Sequence, residues 1–301
     1  MNRYLFIIIL AFIAVVVTTM FLLGGDKLIL LQPHGTVAAS ELHLISIALR
    51  LMLIVIIPVF LITALVTWRY RESNTKARYL PNWEHNNLDE FIWWLVPIAI
   101  ISVLAVITWK ATHTLDPYEP LPATSAPMTV EVVSLDWKWL FIYPAQGIAT
   151  INYLEIPERT PIFFKLSSDA PMNAFFIPQL GSMEMTMPGM TTQLNLMADD
   201  PGTYIGMSSN FSGEGFAGMQ FPVHVVSWDD FDTWVAGIKA GVKTGASTPL
   251  TFDLYEEIAK PSLNEPATFY TLADINLYTD IVNQFMAPGG SMGGMHTGTS
   301  N

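Results

Sequence analysis

Residues 44–68, LISIALRLMLIVIIPVFLITALVTW, and residues 91–109, FIWWLVPIAIISVLAVITW, decide the fold class of this chain. Each is an apolar run long enough to cross hydrocarbon as a helix. Arg50 and Pro58 interrupt the first, and Pro97 interrupts the second. Trp68, Trp93, Trp94 and Trp109 stand at or near their ends, where aromatic rings settle at the membrane–water boundary. The two runs predict a transmembrane helical hairpin within residues 40–110.

Toward the N-terminus, Leu5 to Leu23 is a further apolar run whose only polar members are Thr18 and Thr19, preceded by Arg3 and closed by Gly24-Gly25-Asp26. It suits a secretory signal peptide and a signal anchor, or third span, equally well, so residues 1–25 are assigned to one or the other. No cysteine follows it, which excludes a lipoprotein-type acyl anchor. Between the two main runs lie Arg69, Arg71, Lys76 and Arg78. Four basic residues in a short loop place that loop in the cytoplasm and everything after Trp109 on the outer side.

Two charged residues in this half call for an account. Arg50 within a span either faces protein in a larger assembly or snorkels to the outer interface. Glu90 opens the second run, three residues before Trp93 and seven before Pro97. A carboxylate there can collect protons from the cytoplasm, and an acid favoured by a helix N-terminus would look the same.

The charge balance divides the chain of 301 residues at Lys110. Residues 1–110 hold 8 Lys/Arg and 6 Asp/Glu, net +2, and residues 111–301 hold 6 and 20, net −14. A segment at −14 repels phosphate backbones, which excludes nucleic acid as its partner. Cysteine is absent, so disulfides, thiolate nucleophiles, iron–sulfur clusters and thiolate metal sites are excluded as well.

Beyond the hairpin, Pro117, Pro120, Pro122 and Pro127 read as a stiff spacer lifting a domain off the membrane. Short β-type runs follow at 128–135, 137–143, 148–156, 160–167, 174–177, 193–197, 202–207 and 220–226, punctuated by Pro, Gly, Asn and Asp. Their spacing predicts an all-β, antiparallel sandwich or barrel over residues 127–227. Phe231, Trp234, Val235 and Ile238 then recur at helical spacing behind Asp229 and Asp230, and 254–260 and 274–286 also read as helices, giving a helical extension over 228–287. Residues 288–301 are Gly-rich and are assigned to a disordered tail.

Chemistry-bearing clusters are few. Methionines crowd between Met183 and Met219, and Met292, Met295 and His296 lie in the tail. Thioethers favour Cu(I), which admits a membrane-tethered copper-binding chaperone of cupredoxin type, while methionine is equally a filler of irregular cores. His34, His43, His85, His113, His224 and His296 show no ligand-type spacing. No nucleophile elbow, phosphate loop or carboxylate pair is present, so no catalytic residue is assigned.

Asp136-Trp137-Lys138-Trp139, the run Asn173-Ala174-Phe175-Phe176-Ile177-Pro178-Gln179-Leu180-Gly181 and Pro201-Gly202-Thr203-Tyr204-Ile205-Gly206, set after two spans, resemble subunit II of the haem-copper respiratory oxidases. The resemblance covers roughly residues 40–287. In the cytochrome c oxidase branch this domain is a cupredoxin carrying a dinuclear copper centre. By resemblance its first histidine falls on Asn173, its two cysteines on Ser208 and Ser212, its glutamate on Asn210, its second histidine on Phe216 and its methionine on Met219. Serines cannot supply bridging thiolates, so these are vestigial copper-site positions and no metal is expected in this chain.

That pattern of loss is similar to the quinol oxidase branch, of the cytochrome bo type. Asp26 stands where the acylated cysteine of many members would be, a departure that bears on anchoring and not on membership. The resemblance implies an α+β membrane protein with two transmembrane helices, an outer cupredoxin-like sandwich and C-terminal helices. It implies the second subunit of a proton-pumping ubiquinol:O2 oxidoreductase in the bacterial inner membrane, with the C-terminal domain in the periplasm. Its partners would be subunits I, III and IV and membrane lipid, with haems and copper in subunit I, ubiquinol as substrate of the complex and no cytochrome c. It also implies that Glu90 lies at the entrance of a proton pathway.

Overall fold

The computed structural model describes residues 28–76, 86–123, 125–242 and 248–286. The segment expected as signal or anchor, the tail, and Arg78, His85, Met292, Met295 and His296 lie outside these residues. There are two long helices, α1 (Thr36–Arg69) and α2 (Asn87–Thr114); Ser40–Asp116, which holds α2 and all of α1 after its first turn, forms one unit, and the described residues up to Ala39 form another together with those from Pro117 onward.

Both helices are long and apolar enough to cross a membrane, and the most apolar stretch of each is left unburied by the described residues. Phe60, Leu61, Trp93 and Trp109 are each about two-thirds exposed or more (69%, 66%, 79% and 70%). A helix apolar on every side needs an apolar surround, and lipid or other protein supplies it. Pro58 and Pro97 are accommodated inside α1 and α2. α1 begins eight residues before the apolar run, and α2 starts at a cap: Asn86 Oδ1 accepts from the Leu88 amide (3.1 Å), with Asp89 and Glu90 in the positive first turn.

The second unit is a two-sheet sandwich. Its strands are β1 (Met128–Leu135), β2 (Lys138–Tyr143), β3 (Ile148–Ile151), β4 (Leu154–Pro157), β5 (Ile162–Ser168), β6 (Asn173–Phe176), β7 (Glu184–Thr186), β8 (Thr192–Leu196), β9 (Gly202–Ser208), β10 (Gln220–Val226), β11 (Pro249–Leu250) and β12 (Thr268–Leu272). Its helices are α3 (Trp228–Lys239), α4 (Phe252–Ala259) and α5 (Leu277–Asn283). One sheet runs β11-β12-β3-β2-β1-β5-β8 and the other β4-β10-β9-β6-β7.

β2 shows why the run Lys138–Tyr143 carries no exposed residue. Trp139, Phe141 and Tyr143 enter the core between the sheets with Phe164, Phe175 and Phe221, while Leu140 and Ile142 enter a second core on the other face. Alternation with period two is intact, but both faces are covered. α4 and α5 supply that second cover through Tyr255, Leu277, Tyr278 and Ile281.

Three expectations are corrected. The sheets are mixed, not antiparallel: β1 pairs parallel with β5, β4 with β10 and β11 with β12. The run 148–156 is two strands in different sheets, because Asn152 takes a left-handed conformation (φ 50°) and turns the chain between them. Its side chain completes the turn, accepting from the Trp139 amide (2.8 Å) and donating to Glu265 O (2.8 Å). The stretch 228–287 is not wholly helical, since β12 pairs with β3 and brings β11 to the sheet edge. The proline-rich segment is itself fastened to the sandwich: Pro117 O accepts from Asn195 Nδ2 (3.0 Å), and Leu121 packs on the core.

Candidate functional site

The strand end Ser208 and the return strand β10 bracket a loop, residues 209–219, that carries most of the positions singled out in the sequence. β9 approaches β10 closely at Gly206, where the Phe221 ring occupies the space a Cβ would need. β6 lies on the other side of β9, with Phe175 opposite Ser208. This register brings Asn173, at the head of β6, beside Ser208.

Asn173 is 1% exposed and its amide is fully engaged. Nδ2 donates to Ser134 Oγ (2.7 Å) and to Pro171 O (2.9 Å), and Oδ1 accepts from Ser208 Oγ (3.0 Å). Asn210 O is an alternative acceptor for that hydroxyl (3.2 Å), and Asn210 Nδ2 donates to Met172 O (2.9 Å). The structure thus joins Asn173, Ser208 and Asn210 in one hydrogen-bonded cluster, with Ser134 of β1 as a fourth member.

The other three positions go elsewhere. Ser212 O accepts from Trp137 Nε1 (3.1 Å), while its own buried hydroxyl has no hydrogen-bond partner among the described residues. Phe216 begins a single 3₁₀ turn, and its ring meets Phe211 edge-on with centroids 5.6 Å apart. Met219 is 1% exposed and belongs to the core between the sheets, its carbonyl accepting from the Ser208 amide (3.1 Å).

This donor set does not fit a dinuclear copper centre. It consists of neutral hydroxyls, amides, a phenyl ring and one thioether already packed in the core, where bridging soft anions are required. Among the described residues no three His, Cys, Asp or Glu side chains come together as a metal-holding group. The methionines divide likewise: Met197 and Met219 are buried, whereas Met183 and Met190 are each 52% exposed. Met183 Sδ accepts from Ser209 Oγ (3.0 Å).

Two members of the site have no role in the sequence reading. Ser134 is a fully buried polar residue in an apolar strand, a signal present in the sequence but without an evident partner. Trp137, of the motif Asp136–Trp139, adopts a left-handed conformation (φ 63°) and lays its ring where a side chain on Gly215 would stand. Next to it Lys138, 2% exposed, donates from Nζ to Lys260 O (2.8 Å) and Ser262 Oγ (2.6 Å). Burial lowers its pKa, opposed by Glu265 and Asp136.

The loop's own carboxylate, Glu214, is exposed, and the less exposed carboxylates lie elsewhere around the sandwich. Burial raises Glu131 against the nearby Lys165 (3.3 Å), and raises Asp136, Asp169 and Asp199 as well. The Asp169 carboxylate accepts a hydrogen bond from the Tyr255 hydroxyl of α4. Glu90 belongs to the helical unit, in the first turn of α2, where its amide donates to Asn86 O (3.0 Å).

Comparison with known proteins follows the same outline. Residues 144–226 match a family described as cytochrome c oxidase subunit II, periplasmic domain, and residues 246–289 match the COX aromatic rich motif. The chain is 46% identical to the cytochrome bo(3) ubiquinol oxidase subunit 2 of Pseudomonas aeruginosa, over 91% of this chain and 82% of that one. It is 48% identical to the ubiquinol oxidase subunit 2 of Acetobacter aceti, over 88% and 85%. The quinol oxidase subunit 2 of Bacillus anthracis is 42% identical over 83% and 85%. Among solved structures, the periplasmic domain of subunit II of the Bradyrhizobium japonicum cytochrome oxidase aligns with a TM-score of 0.38 at 21% identity, over 41% of this chain and 99% of that one, a likeness too slight to argue from.

Proposed function

The chain belongs to the subunit 2 family of the ubiquinol oxidases and is a subunit of a terminal oxidase, and from that premise we propose that it serves a proton-pumping ubiquinol:O2 oxidoreductase as scaffold, outer cap and proton-entry donor. The observation that carries this reading is the closed hydrogen-bonded cluster of Asn173, Ser208, Asn210 and Ser134. A domain so built has no means to accept an electron, so quinol reduces the complex elsewhere, in subunit I, which holds the haems and copper.

α1 and α2 cross the inner membrane within residues 40–110, with the loop of Arg69, Arg71 and Lys76 in the cytoplasm and the sandwich in the periplasm. Residues 1–25 act as signal or anchor, and the sandwich with its C-terminal segment caps subunit I, with subunits III and IV completing the assembly. Glu90 lies at the cytoplasmic start of α2 under this orientation. Its carboxylate takes up a proton there and passes it toward subunit I.

Two experiments test the reading. Material co-purified through a C-terminal tag in mild detergent should show haem bands in a reduced-minus-oxidised spectrum; a haem-free preparation of this chain alone contradicts the subunit role. Glu90→Ala should slow turnover and proton uptake with assembly intact, and Glu90→Asp should recover part of both. Unchanged turnover in Glu90→Ala returns this residue to the role of a helix-start acid.

A further inference from the structure

The segment Lys260–Glu265 crosses from α4 to β12 inside the aromatic-rich match. It has no helical or strand hydrogen bonds of its own. Three side chains of the sandwich and the segment fix it instead. Lys138 Nζ donates to Lys260 O and Ser262 Oγ. Asn152 Nδ2 donates to Glu265 O. Asn264, left-handed at φ 53°, points its amide oxygen into the one place where Gly218 lacks a side chain, so that an added Cβ would lie 2.6 Å from Asn264 Oδ1.

The same β1–β2 turn faces the loop on its other side. Trp137 holds Ser212 O and covers Gly213 and Gly215, while its neighbour Lys138 holds the strap. Turn, loop and strap therefore meet pairwise: Trp137 to the loop, Lys138 to the strap, Asn264 to Gly218. Three of the chain's four non-glycine residues with positive φ among the described residues, Trp137, Asn152 and Asn264, lie at this junction. Backbone conformations of that kind persist where the surroundings over-determine them.

We infer that the Lys260–Glu265 strap fixes the conformation of the 209–219 loop, a conformational clasp doing for this loop what a bound metal pair would otherwise do. The aromatic-rich segment gains a role by this assignment. Its rings anchor the helices that precede and follow the strap, Tyr255 of α4 through Asp169 and Tyr278 of α5 through Thr191, while the strap itself carries the contact to the loop. The inference rests on contacts within the chain and stands apart from the assignment of Glu90.

Amide hydrogen exchange on the purified oxidase complex tests it, following the loop and strap peptides separately. Lys138→Ala should speed exchange roughly tenfold in both peptides, the effect of losing a buried charge-assisted hydrogen bond. Ser262→Ala should do so more weakly, and Ser262→Thr, which keeps a hydroxyl, should restore protection. Asn264→Gly, which retains the left-handed backbone, should loosen the loop severalfold and leave the strap near its original rate. Faster exchange in the strap with an unchanged loop overturns the clasp, and so does no change in either. If Lys138→Ala does not assemble, the loop rate in Asn264→Gly decides alone.

Discussion

The membrane unit and the sandwich use similar side chains to opposite ends. Phe60 and Trp93 stand 69% and 79% exposed on α1 and α2, whereas Phe175 and Trp139 are fully enclosed between the sheets. Phe175 alone meets Trp139, Phe164 and Phe221 with ring centroids 5.2 to 5.7 Å apart. Hydrophobicity therefore says little by itself about where a residue packs. In the helices it declares a solvent, and in the sandwich it builds a unique interior.

The sharpest way to break this contrast is to delete the same ring in both places. Phe175→Ala should lower the unfolding free energy of the sandwich by about 3–5 kcal/mol. Phe60→Ala should leave it within about 0.5 kcal/mol, because no ring contact of the sandwich is lost. Denaturant unfolding of the full chain in detergent, followed by near-ultraviolet circular dichroism, reads both. Equal losses would mean that the two units do not stabilise themselves separately.

A smaller effect is expected at the hydrogen-bonded cluster around Asn173. Asn173→Ala leaves Ser134 Oγ buried without its partner and Ser208 Oγ with only Asn210 O as acceptor, a cost of about 1–3 kcal/mol by the same measurement. No loss would mean that the cluster is incidental to the fold.

The smallest effect separates the units by pH. Folding raises the pKa of Glu131, Asp136, Asp169 and Asp199, mainly by burial. Raised carboxyl groups bind protons more tightly folded than unfolded, so their contribution is fully present below the unfolded values and declines as pH rises through the folded ones. The sandwich should accordingly melt higher at pH 5 than at pH 7.5. Asp169→Asn, which keeps an oxygen for the Tyr255 hydroxyl, should flatten that dependence. A slope of the opposite sign would place these carboxylates in dominant ion pairs.

What could be read in the sequence follows the same division. The spans were legible because a membrane helix satisfies its own backbone and needs only composition and length. Strand positions were legible in part, but their partners were not. Nothing local in Thr268–Leu272 marks it as the neighbour of β3, and nothing in 148–156 fixes the change of sheet at Asn152, whose partner Glu265 is 113 residues away. The candidate site divides similarly. The six positions that the resemblance sets against copper ligands could be named from the sequence, whereas Ser134 and Trp137 joined the site only when pairing across 39 and 75 residues became visible. A hydrogen-bonded cluster assembled from β1, β6 and β9 has no sequence period to betray it.

The central claim is that this outer domain passes no electron, leaving quinol as the donor to the complex. Oxygen uptake by the purified complex, assayed in parallel with ubiquinol and with reduced cytochrome c, tests it most directly. The account predicts turnover with ubiquinol alone. Robust oxidation of cytochrome c, accompanied by a near-infrared dinuclear copper band, would contradict it.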